Sequence, residues 1–148
     1  MTDIIEKLKY GSEISDLISK GIKTPEMIIP NNLDAFRWVF DSENSINHLP
    51  VYLQRPQRFI QAKEKDKLQI SGFALSCYDN ELNAENNYKK FLKSIPNFWK
   101  IVGNSISKGK INEPDGRITE SSTTGHFDLY EFVDCNLNST FAITKKLI

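Results

Sequence analysis

Leu68-Gln69-Ile70-Ser71-Gly72-Phe73-Ala74-Leu75-Ser76-Cys77-Tyr78 leads, after a short polar link, into a stretch where Ala84, Tyr88, Phe91, Leu92 and Ile95 recur at helical spacing. The first segment is apolar on both faces near its middle, which predicts a central strand covered on two sides. The second is an amphipathic helix with Asn and Lys on its outer side, capped by Asn83 and ended by Pro96. Beyond Pro96, Phe98, Ile101, Val102 and Ile106 keep the helical period to Lys108-Gly109, so the two segments are expected to form an elbowed helical pair.

Downstream of the pair the pattern changes. Glu113-Pro114-Asp115-Gly116 is a turn sequence and Ser121-Ser122-Thr123-Thr124-Gly125 a loop composition. Arg117–Glu120, His126–Val133 and Thr140–Thr144 between and beyond them are predicted strands. Upstream, Val51-Tyr52-Leu53-Gln54-Arg55 alternates like a strand until Pro56 denies it a ladder hydrogen bond, which suits an edge strand or a strand end. Asp41–Asn47 and Lys63-Glu64-Lys65-Asp66-Lys67 are expected to be a loop and a solvated turn.

The first forty residues carry shorter signals. Asp3 and Glu6 form a variant capping box before Ile4, Ile5 and Leu8. Ile14, Leu17 and Ile18 repeat the helical spacing between Ser12 and Gly21. Thr24-Pro25-Glu26 is a helix start that Pro30 closes at once. Leu33, Phe36 and Phe40 suggest one more helix. Three short helices invite a helix-turn-helix reading, but Gly21–Met27 lacks a second helix long enough to fill a major groove, and packing against a sheet is the simpler expectation. Helices, strands, helices and strands in that order predict a single α+β domain: short N-terminal helices over residues 1–40, then a small, mostly antiparallel sheet with the helical pair over residues 50–148.

Composition sets the boundaries. A chain of 148 residues with 39% hydrophobic, 11% aromatic and 26% charged residues has what one core requires. Nineteen basic and nineteen acidic side chains cancel, which makes nucleic acid an unlikely partner for the domain as a whole. Cys77 and Cys135 have no metal or redox spacing and are read as reduced and buried. No apolar run approaches the roughly 20 residues that span a bilayer, and Met1-Thr2-Asp3-Ile4-Ile5-Glu6 lacks the basic start and apolar stretch of a signal peptide, so the expectation is a cytoplasmic protein without a membrane partner.

Strand alternation over Gly125-His126-Phe127-Asp128-Leu129-Tyr130-Glu131 places His126, Asp128 and Tyr130 on one face and Phe127 and Leu129 on the other. A polar row backed by an apolar face can floor a site, with His126 as acid or base, Asp128 orienting it and Tyr130 contacting a ligand. The alternative is an ordinary solvent-facing strand face. Two histidines in the chain supply too few donors for a confident metal site, and neither metal nor cofactor is expected. Arg55 and Arg58 flank Pro56, whose fixed backbone could aim both guanidinium groups at one phosphate or carboxylate. Pairing of one arginine with an acidic neighbour is the competing reading.

Familiar motifs are absent. There is no Gly-rich phosphate loop, no Gly-x-Ser-x-Gly elbow and no His-Glu-x-x-His helix. Arg55, Ser122-Thr123-Thr124 and Glu131 follow the order of the ADP-ribosyltransferase residues, but the last two groups stand too close and no Glu-x-Glu pair is present. Gly72-Phe73-Ala74 with Tyr78 matches part of an RNA-recognition signature, yet Ser71, Leu75 and Ser76 fail its other positions. Cys77 could serve as a nucleophile with His126, but its apolar strand argues for burial. Glu113 and Asp115 could pair with Asp128 as acid and base, although turns favour Asp for backbone reasons.

Two functions survive. The first is a small intracellular binding or interaction module, acting on a protein partner or within a larger assembly, with exposed Trp38, Trp99 or Tyr130 as anchors. The second is a small enzyme or ligand sensor that binds an anionic, phosphorylated or nucleotide ligand through His126, Asp128, Arg55 and Arg58.

Overall fold

The structure is a computed structural model that describes residues 2–41, 46–60 and 68–148. The expected Lys63–Lys67 turn, part of the Asp41–Asn47 loop and the Asp3 side chain of the expected capping box lie outside what is described. The architecture is α+β: among the described residues there are six helices and a six-stranded, wholly antiparallel sheet in the order β4-β5-β2-β1-β3-β6. The strands are β1 (Leu33–Val39), β2 (Leu75–Tyr78), β3 (Ser105–Ile111), β4 (Gly116–Ile118), β5 (His126–Glu131) and β6 (Ala142–Lys146).

Helices α1 (Thr2–Lys7) and α2 (Gly11–Ser19) form where the apolar spacing predicts them. Ile5, Leu8, Ile14 and Leu17 bury against Tyr130 of β5, Tyr52, Ile70 and Phe73. Lys9 ties this layer to the sheet through an ion pair of 2.9 Å with the buried Glu131. The expected helix at Thr24-Pro25-Glu26 is instead extended chain, and Ile28 exchanges both backbone hydrogen bonds with Ile118. That bridge covers the outer edge of β4, which would otherwise present unpaired backbone groups.

Leu33–Val39 is a strand, contrary to the helix read there. Leu33, Phe36 and Phe40 fit a helical period, but Ala35 and Val39 bury on one face and Phe36 packs with Tyr78 and Ala84 on the other. A strand covered on both faces is apolar nearly throughout, so periodicity cannot separate it from a helix. Pairing decides it, since all seven residues stand in register with β3, from Leu33↔Ile111 to Val39↔Ser105.

Ser105–Ile111 is likewise a strand where the helical spacing carries on past Val102. The helix α6 (Phe98–Val102) stops at Gly103, whose φ of +104° turns the chain into β3. Gly109 is needed for close approach and not as a helix stop, because a Cβ there would lie 2.2 Å from Phe141 Cδ1. Val51–Gln54 forms helix α3 in place of the expected strand, and Pro56 opens helix α4 (Pro56–Ile60) at its first position. Five alternating residues could not distinguish the two, and the helix lets Tyr52 reach the core. Of Leu68–Tyr78 only Leu75–Tyr78 is strand; Gln69–Phe73 is a tight 3-10 turn.

The clearest predicted helix is present as α5 (Glu81–Ser94). Its cap is Asn80, whose side chain accepts from Asn83 N at 2.8 Å, while Asn83 donates to Asp79. Ala84 and Tyr88 form its buried stripe. Phe127 and Leu129 bury with Leu75, Cys77, Ile118 and Leu137 on the sheet face opposite the helices. Leu129→Ala there is expected to lower stability by about 2–5 kcal/mol, read from the urea midpoint.

Candidate functional site

Strands β1 and β2 meet at the single register pair Phe36↔Tyr78. Beyond it they part. Arg37 bridges the opening, donating from Nη1 to Ser76 O on β2, from Nη2 to Asn47 O at 3.0 Å and from Nε to His48 Nδ1 at 3.1 Å. Its side chain thus replaces the ladder that the strands give up. Arg37 is 5% exposed and lacks a carboxylate partner among the described residues.

A cavity of about 410 Å³ lies against this opening, within the size range of small-molecule sites. Arg37, Arg55 and Arg58 line it, and so do His126 and Asp128 of β5. Asn47, Gln54, Ser71 and Ser76 add polar groups; Leu49, Val51, Leu75 and Val102 supply apolar wall. The two arginines around Pro56 and the histidine of the distant strand therefore share one wall-to-wall space. Pro56 keeps α3 and α4 as separate short helices, with Arg55 at their junction and Arg58 one turn on.

The polar row of β5 divides. His126 and Asp128 border the cavity, whereas Tyr130, 1% exposed, packs among Ile5, Leu8 and Ile14 and is not part of its lining. The helices that cover the far end of the row are the reason. His126 Nε2 lies 3.1 Å from Ser76 Oγ and 3.6 Å from Asp128 Oδ1. Serine and carboxylate thus approach the same ring nitrogen, whereas a Ser-His-Asp relay needs one at each nitrogen. The arrangement can hold or pass a proton, but it does not activate Ser76 in that manner.

Burial raises the Asp128 carboxyl above the ordinary range, and His126 partly opposes this. His48 is pushed down to about 3, first by burial and then by the Arg37 charge, so its ring is a neutral acceptor for Arg37 Nε. The unfolded ring binds a proton below pH 6.5 and the folded ring does not, so this stabilisation is complete above pH 6.5 and lost as pH falls toward 3. Between pH 6.5 and 5, stability should fall by roughly 0.5–1 kcal/mol per pH unit on this account, discounted for the ring's remaining solvent contact. Urea unfolding at both pH values checks it. His48→Gln, which keeps an acceptor but cannot titrate, should flatten the slope, and an equal slope in both proteins would refute the assignment.

Other candidates fall elsewhere. Cys77 is wholly buried, and burial pushes its thiol to about 11, which leaves almost no thiolate at neutral pH. Asp115 accepts from Asn112 N at 2.8 Å in a capping box, outside the cavity. Trp38 is half-buried among Tyr78, Tyr88, Phe91 and Phe98, and its Nε1 donates to Ala84 O; Trp99 is 40% exposed. Among the described residues no group of three or more His, Cys, Asp or Glu could hold a metal ion, and no helix is long and apolar enough to cross a membrane.

Sequence groups Arg37 with Arg55 and Arg58 as a possible local basic patch in the first half but gives Arg37 no site role. A charged residue inside Ala35-Phe36-Arg37-Trp38-Val39 signals a buried cation once the segment is read as a strand, but on a helix it reads as one more solvated side chain. Comparison with protein-family models, curated proteins and solved structures gives no match.

Proposed function

We propose that this protein binds a small anionic molecule, phosphorylated or carboxylated, in the cavity between β1, β2 and the α3–α4 elbow. The observation that carries the reading is the meeting of Arg37, Arg55 and Arg58 around one partly open cavity with a partly apolar wall. Guanidinium groups in a space that excludes much of the bulk water favour an anion more strongly than they would at the surface. Arg37 spends part of its fork on protein acceptors, and Arg55 makes no hydrogen bond or ion pair through its side chain among the described residues. His126, with Asp128 beside it, is the group that could exchange a proton with the ligand; binding alone is proposed, with no catalytic step. A cytoplasmic setting belongs to the same proposal.

Thermal unfolding against inorganic phosphate, pyrophosphate, sugar phosphates, mononucleotides and carboxylates at constant ionic strength tests this. A ligand at 100 times its Kd adds about 2.7 kcal/mol, worth roughly 5–10 °C in a chain of this size. At least one class should raise the midpoint, and Arg55→Ala should remove most of the rise. A flat panel, or a shift indifferent to Arg55→Ala, contradicts the reading.

A second reading, docking of a protein partner, is supported by exposed Trp99, whose ring has Lys100 Nζ 5.3 Å from its centroid, and by β6, an edge strand exposed along its whole length. Under that reading Trp99→Ala would abolish partner binding and leave the anion panel unchanged.

A further inference from the structure

The Asp128 carboxylate stands out within the cavity. Its side chain is 19% exposed, and its polar neighbour is His126 Nε2 at 3.6 Å, longer than a hydrogen bond. No other side chain donates to it among the described residues; the Thr119 hydroxyl accepts from the Asp128 backbone N–H at 2.9 Å. A largely buried carboxylate whose described side-chain partner stands no closer than 3.6 Å is under-satisfied, and a donor that came within hydrogen-bond distance would be favoured. The charged and titratable groups that line the cavity with it are Arg37 from β1, Arg55 and Arg58 from the α3–α4 elbow, and His126 on its own strand. Tyr130 and Cys77, the titratable groups that sense Asp128 from the core, are both raised by burial, further from ionisation at pH 7.

A ligand that brought only an anion would meet the arginines and leave Asp128 as it stands, with a second negative charge in the same space. We propose that the ligand is bifunctional: an anionic group for Arg55 and Arg58, and an N–H donor, amine or ammonium, that pairs with the Asp128 carboxylate. This rests on the anion reading above. An amino acid and an amine-bearing nucleotide share that chemistry, and a pair of probes for each separates them.

Isothermal titration with L-phenylalanine against 3-phenylpropionate, and with adenosine 5′-monophosphate against purine riboside 5′-monophosphate, compares each amine-bearing molecule with its amine-free counterpart. In at least one pair the amine-bearing member should bind roughly 10- to 100-fold tighter, the worth of a charge-assisted hydrogen bond. Asp128→Ala should erase that ratio, and Arg55→Ala should weaken both members alike and leave the ratio in place. Asp128→Asn keeps the side-chain shape, removes the charge and should reduce the same ratio, which provides the reading if the alanine variant does not fold. Equal affinity within both pairs, with Arg55→Ala weakening all, overturns the bifunctional ligand and leaves the anion site standing. No binding by any of the four at millimolar concentration also overturns it, and the wider anion panel then decides the broader reading separately.

Discussion

Arg37→Met should lower the stability of the protein by about 2–4 kcal/mol and abolish anion binding in the cavity. Methionine is close in length and welcome in a core, so the loss is one of hydrogen bonding. Without the guanidinium, Ser76 O, Asn47 O and His48 Nδ1 lose their donor where β1 and β2 part. Removing a buried cation recovers some desolvation energy, which keeps the expected cost below the sum of three charged hydrogen bonds. Arg37→Lys distinguishes geometry from charge. An ammonium cannot span the three acceptors as a planar fork does, so it should recover less than half of the loss. Urea unfolding measures both variants, and a change within about 0.5 kcal/mol for Arg37→Met would mean that the opening between the strands closes without it.

Gly103→Ala is the second large effect, at about 3–5 kcal/mol. Gly103 has φ of +104° and ψ of −177°, a region essentially reserved for glycine. A Cβ there would also fall 2.2 Å from Val39 C and O, backbone atoms of β1 that cannot swing aside. Val39 O already accepts from Asn104 N, and Gly103 O accepts from the Tyr88 hydroxyl at 2.8 Å, so a displacement would disturb the entry to β3 and the anchoring of α5 together. Gly21→Ala is the control. Gly21 has φ of +93° with nothing within 4 Å of a Cβ, so it should show the conformational cost alone, about 1 kcal/mol. Equal losses in the two variants would show that the contact with β1 carries no weight.

The parts of the fold legible in the sequence are those whose patterns have no rival. α5 carries a long stripe with a polar back, and His126-Phe127-Asp128-Leu129-Tyr130 alternates cleanly, because one sheet face takes Phe127 and Leu129 and the other borders the cavity. β1 and β3 were hidden for opposite reasons. β1 is covered on both faces and its apolar residues happen to fit a helix. β3 alternates between buried and exposed only from Ser107 to Ile111, and its Ile106 continues directly from the helical run of Phe98, Ile101 and Val102. Gly109 then imitates a helix stop, when its real constraint is Phe141 from a distant part of the chain.

The same distinction governs the site. Arg55, Arg58, His126 and Asp128 were identifiable one by one from residue type and local pattern, while their common cavity is a tertiary fact. Tyr130 belongs to the same alternating row, yet α1 and α2 cover that end of it, and nothing local to β5 records their presence. The burial of Arg37 and its place between two strands follow only once β1 is known to be a strand.

Titration of the isotopically labelled protein with pyrophosphate, followed through its arginine Nε–Hε and backbone amide resonances, tests the anion cavity most directly. The account predicts saturable shifts concentrated on the side chains of Arg37, Arg55 and Arg58 and on the amides of Ser76, His126 and Asp128. Shifts centred on another surface, or small uniform drifts that follow ionic strength without saturating, would contradict it.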